Sequence, residues 1–150
     1  MHTIRRAEPG EAEAVARLFR AVQRACLPYL PDLHTADEDL GFFRDRVCAE
    51  CEVWVAQSGT IDGFIAFRKG WVDHLYVRLE GQRQGLGNAL LALAMKNNAP
   101  LRLWVFQRNT AAIRFYRAHG FCEIERTDGS HNEEREPDVL MEWPGRAAAT

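Results

Sequence analysis

No apolar run in the 150 residues approaches the roughly 20 needed to span a bilayer, and the start, Met1-His2-Thr3-Ile4-Arg5-Arg6, has no apolar segment behind its basic pair. The expectation is a soluble cytoplasmic protein. Neither sign of charge is in marked excess: the formal net charge is -2, with 27% charged and 47% apolar residues, so bulk composition points neither to disorder nor to a nucleic-acid-binding surface. Cysteine is scarce. The four residues are Cys26, Cys48, Cys51 and Cys122, of which Cys48 and Cys51 have the two-residue spacing of zinc and redox sites. A zinc site needs two further ligands, and only His119 lies near Cys122 in the sequence, so buried or idle thiols are the plainer reading. Internal repeats and dividing linkers are also missing. Residues 1–144 read as one domain and residues 145–150 as a frayed tail.

What is present is a change of period along the chain. After a strand candidate at His2–Arg5, Pro9-Gly10-Glu11 opens a helix with Ala14, Val15, Leu18, Phe19 and Val22 at helical spacing, closed by Pro28 and Pro31. Thr35-Ala36-Asp37-Glu38 forms a capping box for a second helix carrying Leu40, Phe43 and Val47. From Val53 the pattern alternates: Val53–Ala56, Phe64–Phe67 and Trp71–Val77 read as an antiparallel meander. A helix at Leu86–Met95 and a strand at Leu101–Phe106 complete a βαβ crossover. A helix over Thr110–His119, capped by Asn109 and stopped by Gly120, precedes strands at Phe121–Glu125 and Val139–Trp143. The fold class is α/β (α+β), with a mixed, mostly antiparallel sheet of six to seven strands and four helices. An exposed final strand would offer an edge for a homodimer.

Between the third strand of the meander and the next helix lies Gln82-Arg83-Gln84-Gly85-Leu86-Gly87. Its glycines permit a tight turn, and consecutive amides at a helix N-terminus form an anion nest suited to a diphosphate. A plain turn is the alternative. The Gly-Lys-Ser/Thr ending of nucleotide-hydrolase loops is absent, as are the third glycine and downstream acid of the dinucleotide fingerprint.

Gln82, Gly85 and Gly87, followed by Asn109, Ala112, Phe115-Tyr116 and Gly120-Phe121, resemble the two motifs of the GNAT superfamily of acetyl-CoA-dependent N-acetyltransferases. The resemblance implies acetyl-CoA as co-substrate and no metal. It implies that Leu75, Tyr76 and Val77 flank the pantetheine arm, with the cofactor entering a splay between the strands at Leu75 and Leu103. It further implies that the amides of Gln82, Arg83, Gln84, Gly85, Leu86, Gly87 and Asn88 hold the pyrophosphate, that Asn109 and Ala112 border the arm, and that Tyr116 lies near the sulfur. A phenol of pKa about 10 can donate to a leaving thiolate; packing beside Phe115 is the alternative role for Tyr116.

The attacking amine must first lose a proton, because an ammonium has no lone pair. Asp73 is the candidate base, against a water chain or a structural role pairing with Lys69 or Arg102. Some related acetyltransferases carry a glutamate on the following strand, where this sequence has Trp104, Val105 and Phe106. Tyr29, Trp71 and Phe42 are candidates to line the acceptor pocket. The acidic stretch Asp128–Glu136, with Glu133, either borders that pocket and suits a cationic amine or is a solvated loop. Arg83, Arg114 and Arg117 either meet cofactor phosphates or lie on an exposed face. The function expected is transfer of an acetyl group to a primary amine of a small molecule or peptide. The alternative is a non-catalytic acyl-CoA-binding sensor.

Overall fold

The computed structural model describes residues 2–82, 85–96 and 98–145. In chain order the elements are β1 (Thr3–Arg6), α1 (Ala12–Cys26), α2 (Ala36–Phe42), β2 (Glu52–Ser58), β3 (Thr60–Arg68), β4 (Trp71–Val77), α3 (Leu86–Met95), β5 (Leu101–Phe106), α4 (Thr110–Ala118), β6 (Cys122–Arg126) and β7 (Asp138–Trp143). The seven strands form one sheet in the order β1-β2-β3-β4-β5-β7-β6. Among the described residues only β4 and β5 pair in parallel, as the crossover through α3 requires. The final strand is not an edge. β7 pairs with β5 on one side and β6 on the other, because the chain after β6 turns back into the gap beside β5. Its backbone groups are therefore spent within the sheet, and the strand edge expected for a dimer is unavailable there.

Each face of the sheet has its own core. On one, Leu86, Leu90, Leu91 and Ala94 of α3 and Ile113 and Tyr116 of α4 pack on Ile65, Phe67, Val72, Leu103 and Val105. On the other, Val15, Leu18 and Val22 of α1, with Phe43 and Val47, cover Val53, Val55, Phe64 and Ala66. Burial on both faces explains why β3 reads as an unbroken apolar run from Gly63 to Phe67. A fully buried side chain such as Leu90 contributes about 1.5–3 kcal/mol relative to exposure.

The phase of α1 differs from the sequence expectation. Ala12 and Ala16 are buried with Val15, Leu18 and Val22, whereas Ala14 faces solvent, since the inward stripe runs through positions 12, 15, 16, 18 and 22. The capping box at Thr35 forms as expected, with Glu38 N donating to Thr35 Oγ1 at 3.1 Å and Thr35 N to Glu38 Oε1 at 2.9 Å. After α2 the helix widens into a π turn over Phe43–Val47, which keeps Phe43 and Val47 inward. Arg20 of α1 and the buried Asp39 of α2 are joined at 2.6 Å, tying these helices together.

Two irregularities of β4 create the site. Phe67 lies opposite Val72 and Ala66 opposite His74, so Asp73 is an extra residue without a partner: a β-bulge. In addition, β4 and β5 share a single paired position, Trp71 with Arg102, beyond which the strands part.

Candidate active site

A cavity of about 100 Å³ occupies the parting of β4 and β5. Its walls come from residues 72–76 of β4, residues 103–106 of β5, Leu27, and the stripe Asn109, Ala112 and Tyr116 of α4. Those three positions recur at helical spacing, so one face of α4 is directed at the splay. Beyond the Trp71 position the β5-facing edge of β4 has no ladder partner on β5, which leaves main-chain donors and acceptors for an extended amide-bearing chain.

The loop after β4 is braced before it reaches α3. Gln82 Nε2 donates to Val77 O at 3.0 Å, so this side chain holds the loop against the end of β4. Arg83 and Gln84 lie outside the described residues. Gly85 adopts φ +80 at the N-cap of α3, a conformation that favours glycine, and a Cβ there would meet nothing within 4 Å. The first helical bond runs from Ala89 N to Gly85 O at 3.0 Å, so the amides of Leu86, Gly87 and Asn88 precede the intrahelical ladder. Gly87 has a packing duty. A Cβ there would stand 3.2 Å from the Phe115 ring, so the glycine lets α3 approach α4 and couples the two motifs in space.

Asn109 caps α4 through Oδ1, which accepts from Ala112 N at 3.3 Å, and its amide nitrogen has no partner among the described residues. Tyr116 is 8% exposed, with its ring against Phe115 and Phe121. Burial, reinforced by the nearby Tyr76 phenol, pushes its pKa well above the usual tyrosine value. The phenol is thus a proton-bearing donor at neutral pH. Tyr76 is likewise pushed up to about 12 by burial, against the opposing bond from Gln23 Nε2 at 3.3 Å.

Asp73 stands on the bulge with both oxygens taken by Arg68, Nε to Oδ2 at 2.7 Å and Nη2 to Oδ1 at 3.2 Å. Its ion-pair partner is therefore Arg68; Arg102 pairs with Glu142 instead. Cys51 Sγ also donates to Asp73, and burial first, then this carboxylate, push the thiol up to about 12. His74 is enclosed by Phe19, Phe43, Phe64 and Tyr76, where burial lowers its pKa to about 4 and leaves it neutral. Among the described residues no group of His, Cys, Asp and Glu could hold a metal ion.

The acceptor candidates do not share the cavity. Tyr29 lies under Arg108 at 4.2 Å, and Arg108 is clamped by Glu136 at 2.8 and 2.6 Å. Trp71 lies beside Arg68 at 5.6 Å, Phe42 is 46% exposed, and Glu133 is bonded to His34 Nε2 at 2.8 Å. Arg117 is paired with Glu123. A second, larger cavity of about 290 Å³ went unseen in the sequence. Residues from α1 and from the segment leading to α2 line it, among them Phe19, Gln23, Leu27, Leu30 and His34, and Leu27 belongs to both cavities. The acidic stretch Asp128–Glu136 includes Glu134, which is partly buried.

A helix N-terminus with open amides, a glycine at positive φ, an unpaired strand edge and a buried phenol together fit a phosphate-bearing acyl thioester with an amide arm. Such features suit an acyl-CoA site on a mixed sheet. The chain belongs to the acetyltransferase (GNAT) family, whose domain description matches residues 49–123. It is thereby an acetyl-CoA-dependent acetyltransferase acting on an amine. Over 143 residues it is 28% identical to the peptidyl-lysine N-acetyltransferase YiaC of Escherichia coli K12, covering 94% of this chain and 96% of that one. The fold is similar to that of apo YjaB from Escherichia coli, with TM-score 0.78, 22% identity and 97% and 99% of the two chains covered. It is also similar to yncA from Salmonella typhimurium, solved with acetyl-CoA, with TM-score 0.73, 18% identity and 100% and 97% covered.

Proposed function

We propose that the protein acetylates the side-chain amine of lysine in a peptide or protein by direct attack on acetyl-CoA. The observation that carries the direct route is the convergence, at one splay, of an unpaired β4 edge and the proton-bearing Tyr116 phenol. Likeness to a peptidyl-lysine N-acetyltransferase supports the acceptor class. In this reading the amides of Leu86, Gly87 and Asn88 receive the pyrophosphate, and β4 from Leu75 to Val77 receives the pantetheine amides. Asn109 offers its free N–H group to the same arm.

The neutral amine nitrogen attacks the thioester carbon and a C–N bond forms. The tetrahedral intermediate collapses as the C–S bond breaks, and the departing sulfur accepts a hydrogen bond from Tyr116. Two protons leave the original ammonium nitrogen and one is taken up by the sulfur, so each turnover releases one proton to solvent. Asp73 is poorly suited to receive the first, because protonation would break its two-point bond to Arg68. Cys26, Cys48, Cys51 and Cys122 all lie outside the lining of the splay, so this route uses no cysteine acyl-enzyme.

The test is incubation with acetyl-CoA and a panel of lysine peptides with blocked and free N-termini, reading thiol release and peptide mass. Acetylation at the lysine side chain is expected. Binding of acetyl-CoA without transfer to any peptide would favour an acyl-CoA sensor, and transfer to the α-amine alone would replace the acceptor class.

A further inference from the structure

One ring at the edge of the splay is chemically out of place. His74 of β4 stands among the rings of Phe19 on α1, Phe42 on α2, Phe43 in the π turn, Phe64 on β3 and Tyr76 of its own strand, with centroids 5.3 to 6.4 Å away. A phenylalanine would fill that place without carrying nitrogens into it. Nδ1 of His74 is enclosed and has no hydrogen-bond partner. Leaving a buried polar atom unsatisfied costs about 1–3 kcal/mol, so packing alone does not account for the imidazole.

The bulge aims this ring. In an unbroken strand Val72 and His74 would share a face. With Asp73 as the extra residue, Val72 joins the core under α3, whereas His74 turns to the rings on the α1 side. His74 also lines the splay, with Val72, Leu75 and Tyr76 of the same strand. Its Nε2, unlike Nδ1, is not enclosed, and no group among the described residues bonds it. Burial holds the pKa at about 4 against the opposing charge of Asp73, so the ring is neutral at pH 7. A neutral imidazole has one N–H and one lone pair. Buried donors without partners are rarer than buried acceptors without them, so the lone pair belongs at Nδ1 and the proton at Nε2. The ring thus offers the splay an N–H donor.

The direction of the pantetheine arm fixes what this donor meets. With the pyrophosphate at the start of α3 and the amides along Val77 to Leu75, the arm runs toward Trp71, where pairing with Arg102 closes the splay. The thioester ends the arm and so comes to the level of His74, the next residue of β4. Resting on the function proposed above, we infer that His74 is a catalytic hydrogen-bond donor, whose Nε2–H binds the thioester carbonyl oxygen and stabilises the negative charge that gathers there as the amine attacks. The ring transfers no proton. When the C–S bond breaks, the oxygen returns to a carbonyl and the hydrogen bond weakens. Tyr116 then serves the sulfur and His74 the oxygen.

The experiment compares wild type, His74→Phe and His74→Gln. Phenylalanine keeps a ring and drops the N–H, whereas glutamine keeps an N–H donor and cannot act as a base. The first measurement needs no acceptor: infrared difference spectra of bound acetyl-CoA, labelled and unlabelled at the carbonyl carbon, give the carbonyl stretch. It should lie lower in wild type and His74→Gln than in His74→Phe, because a hydrogen bond weakens the C=O bond. With a lysine peptide, kcat should fall about 10²-fold in His74→Phe and less than about tenfold in His74→Gln, with acetyl-CoA affinity by calorimetry within about threefold throughout. His74→Phe should melt at or above the wild-type temperature, since it removes the unpaired nitrogen. The same stretch in all three proteins would overturn the assignment, as would a kcat for His74→Phe within about twofold of wild type. Equal losses of turnover in the two variants would overturn it too, marking the ring as a base or a packing element. Should His74→Phe not fold, His74→Gln decides alone: a wild-type stretch supports the donor and a raised one removes it. If wild type lowers the stretch relative to His74→Phe but acetylates no lysine peptide, the proposed acceptor fails and the contact with acetyl-CoA stands; if wild type acetylates and the two stretches agree, only the role of His74 falls.

Discussion

Tyr116→Phe removes one oxygen from the splay, and the structure sets the size of the effect. The hydroxyl has no hydrogen-bond partner among the described residues, so its loss strands no buried donor or acceptor, and unfolding free energy should move by less than about 0.5 kcal/mol. The effect on rate is bounded by the phenol's environment. Burial and the Tyr76 phenol hold its pKa far above the pKa of about 8.5 typical of a thiol, so full proton transfer to the leaving sulfur is uphill. What the phenol supplies is a hydrogen bond to a developing anion, which is worth about 1.5–3 kcal/mol. That range corresponds to a loss of about 10- to 150-fold in kcat, with kcat/KM falling in parallel because the interaction is made only as charge develops. Thiol release under saturating acetyl-CoA gives kcat, and calorimetric titration gives acetyl-CoA affinity, which should be unaltered. A kcat within twofold of wild type would remove Tyr116 from the chemistry. A weakened acetyl-CoA affinity with intact kcat would make it a binding residue instead.

Gly129→Ala should lower stability by at least about 2 kcal/mol, since it adds a left-handed penalty to an overlap with the Glu136 backbone, and thermal unfolding would show a drop of about 5 °C or more. Gly85→Asp should weaken acetyl-CoA binding by about tenfold or more while changing stability by only about 1 kcal/mol, because the added charge suits a helix N-terminus but repels a pyrophosphate; unchanged affinity by calorimetry would remove this helix end from the phosphate site. Arg5 binds Glu11 at two points and holds its carboxyl down to about 2, so that contribution is complete above the ordinary value of 4.5 and is lost as pH falls toward 2. Arg5→Ala should therefore be less stable at pH 7 and show a shallower decline in melting temperature between pH 4.5 and 2; parallel curves would refute the coupling.

Much of the architecture was legible because it rests on local rules. The Thr35 capping box, the alternation of the meander and the glycine stop after α4 each depend on residues within a few positions, and each appears where expected. The loop glycines and the Asn109 motif were likewise readable, since main-chain geometry at helix starts admits few residue types. Pairings across the fold were not. Nothing near Asp73 in the sequence distinguishes Arg68 from Lys69 or Arg102 as its partner. The bulge that decides the matter is visible only in the register against β3. The phase of α1 was blurred because alanine is compatible with either face, and Ala14 and Ala16 exchange roles once the helix meets the sheet.

The sequence alone marked the donor side of the proposed reaction: a run of amides at Gly85–Asn88, and an asparagine and a tyrosine seven residues apart, suit the binding of an acyl-CoA. Tertiary structure alone decided the ion pairs of the acidic hairpin and the place of the last strand. It placed β7 inside the sheet and paired Glu133 with His34 and Glu136 with Arg108. The difference has one physical cause. Anion nests and helix faces are built from consecutive backbone and short-period side chains, whereas charge compensation depends on which distant residues the sheet order brings together.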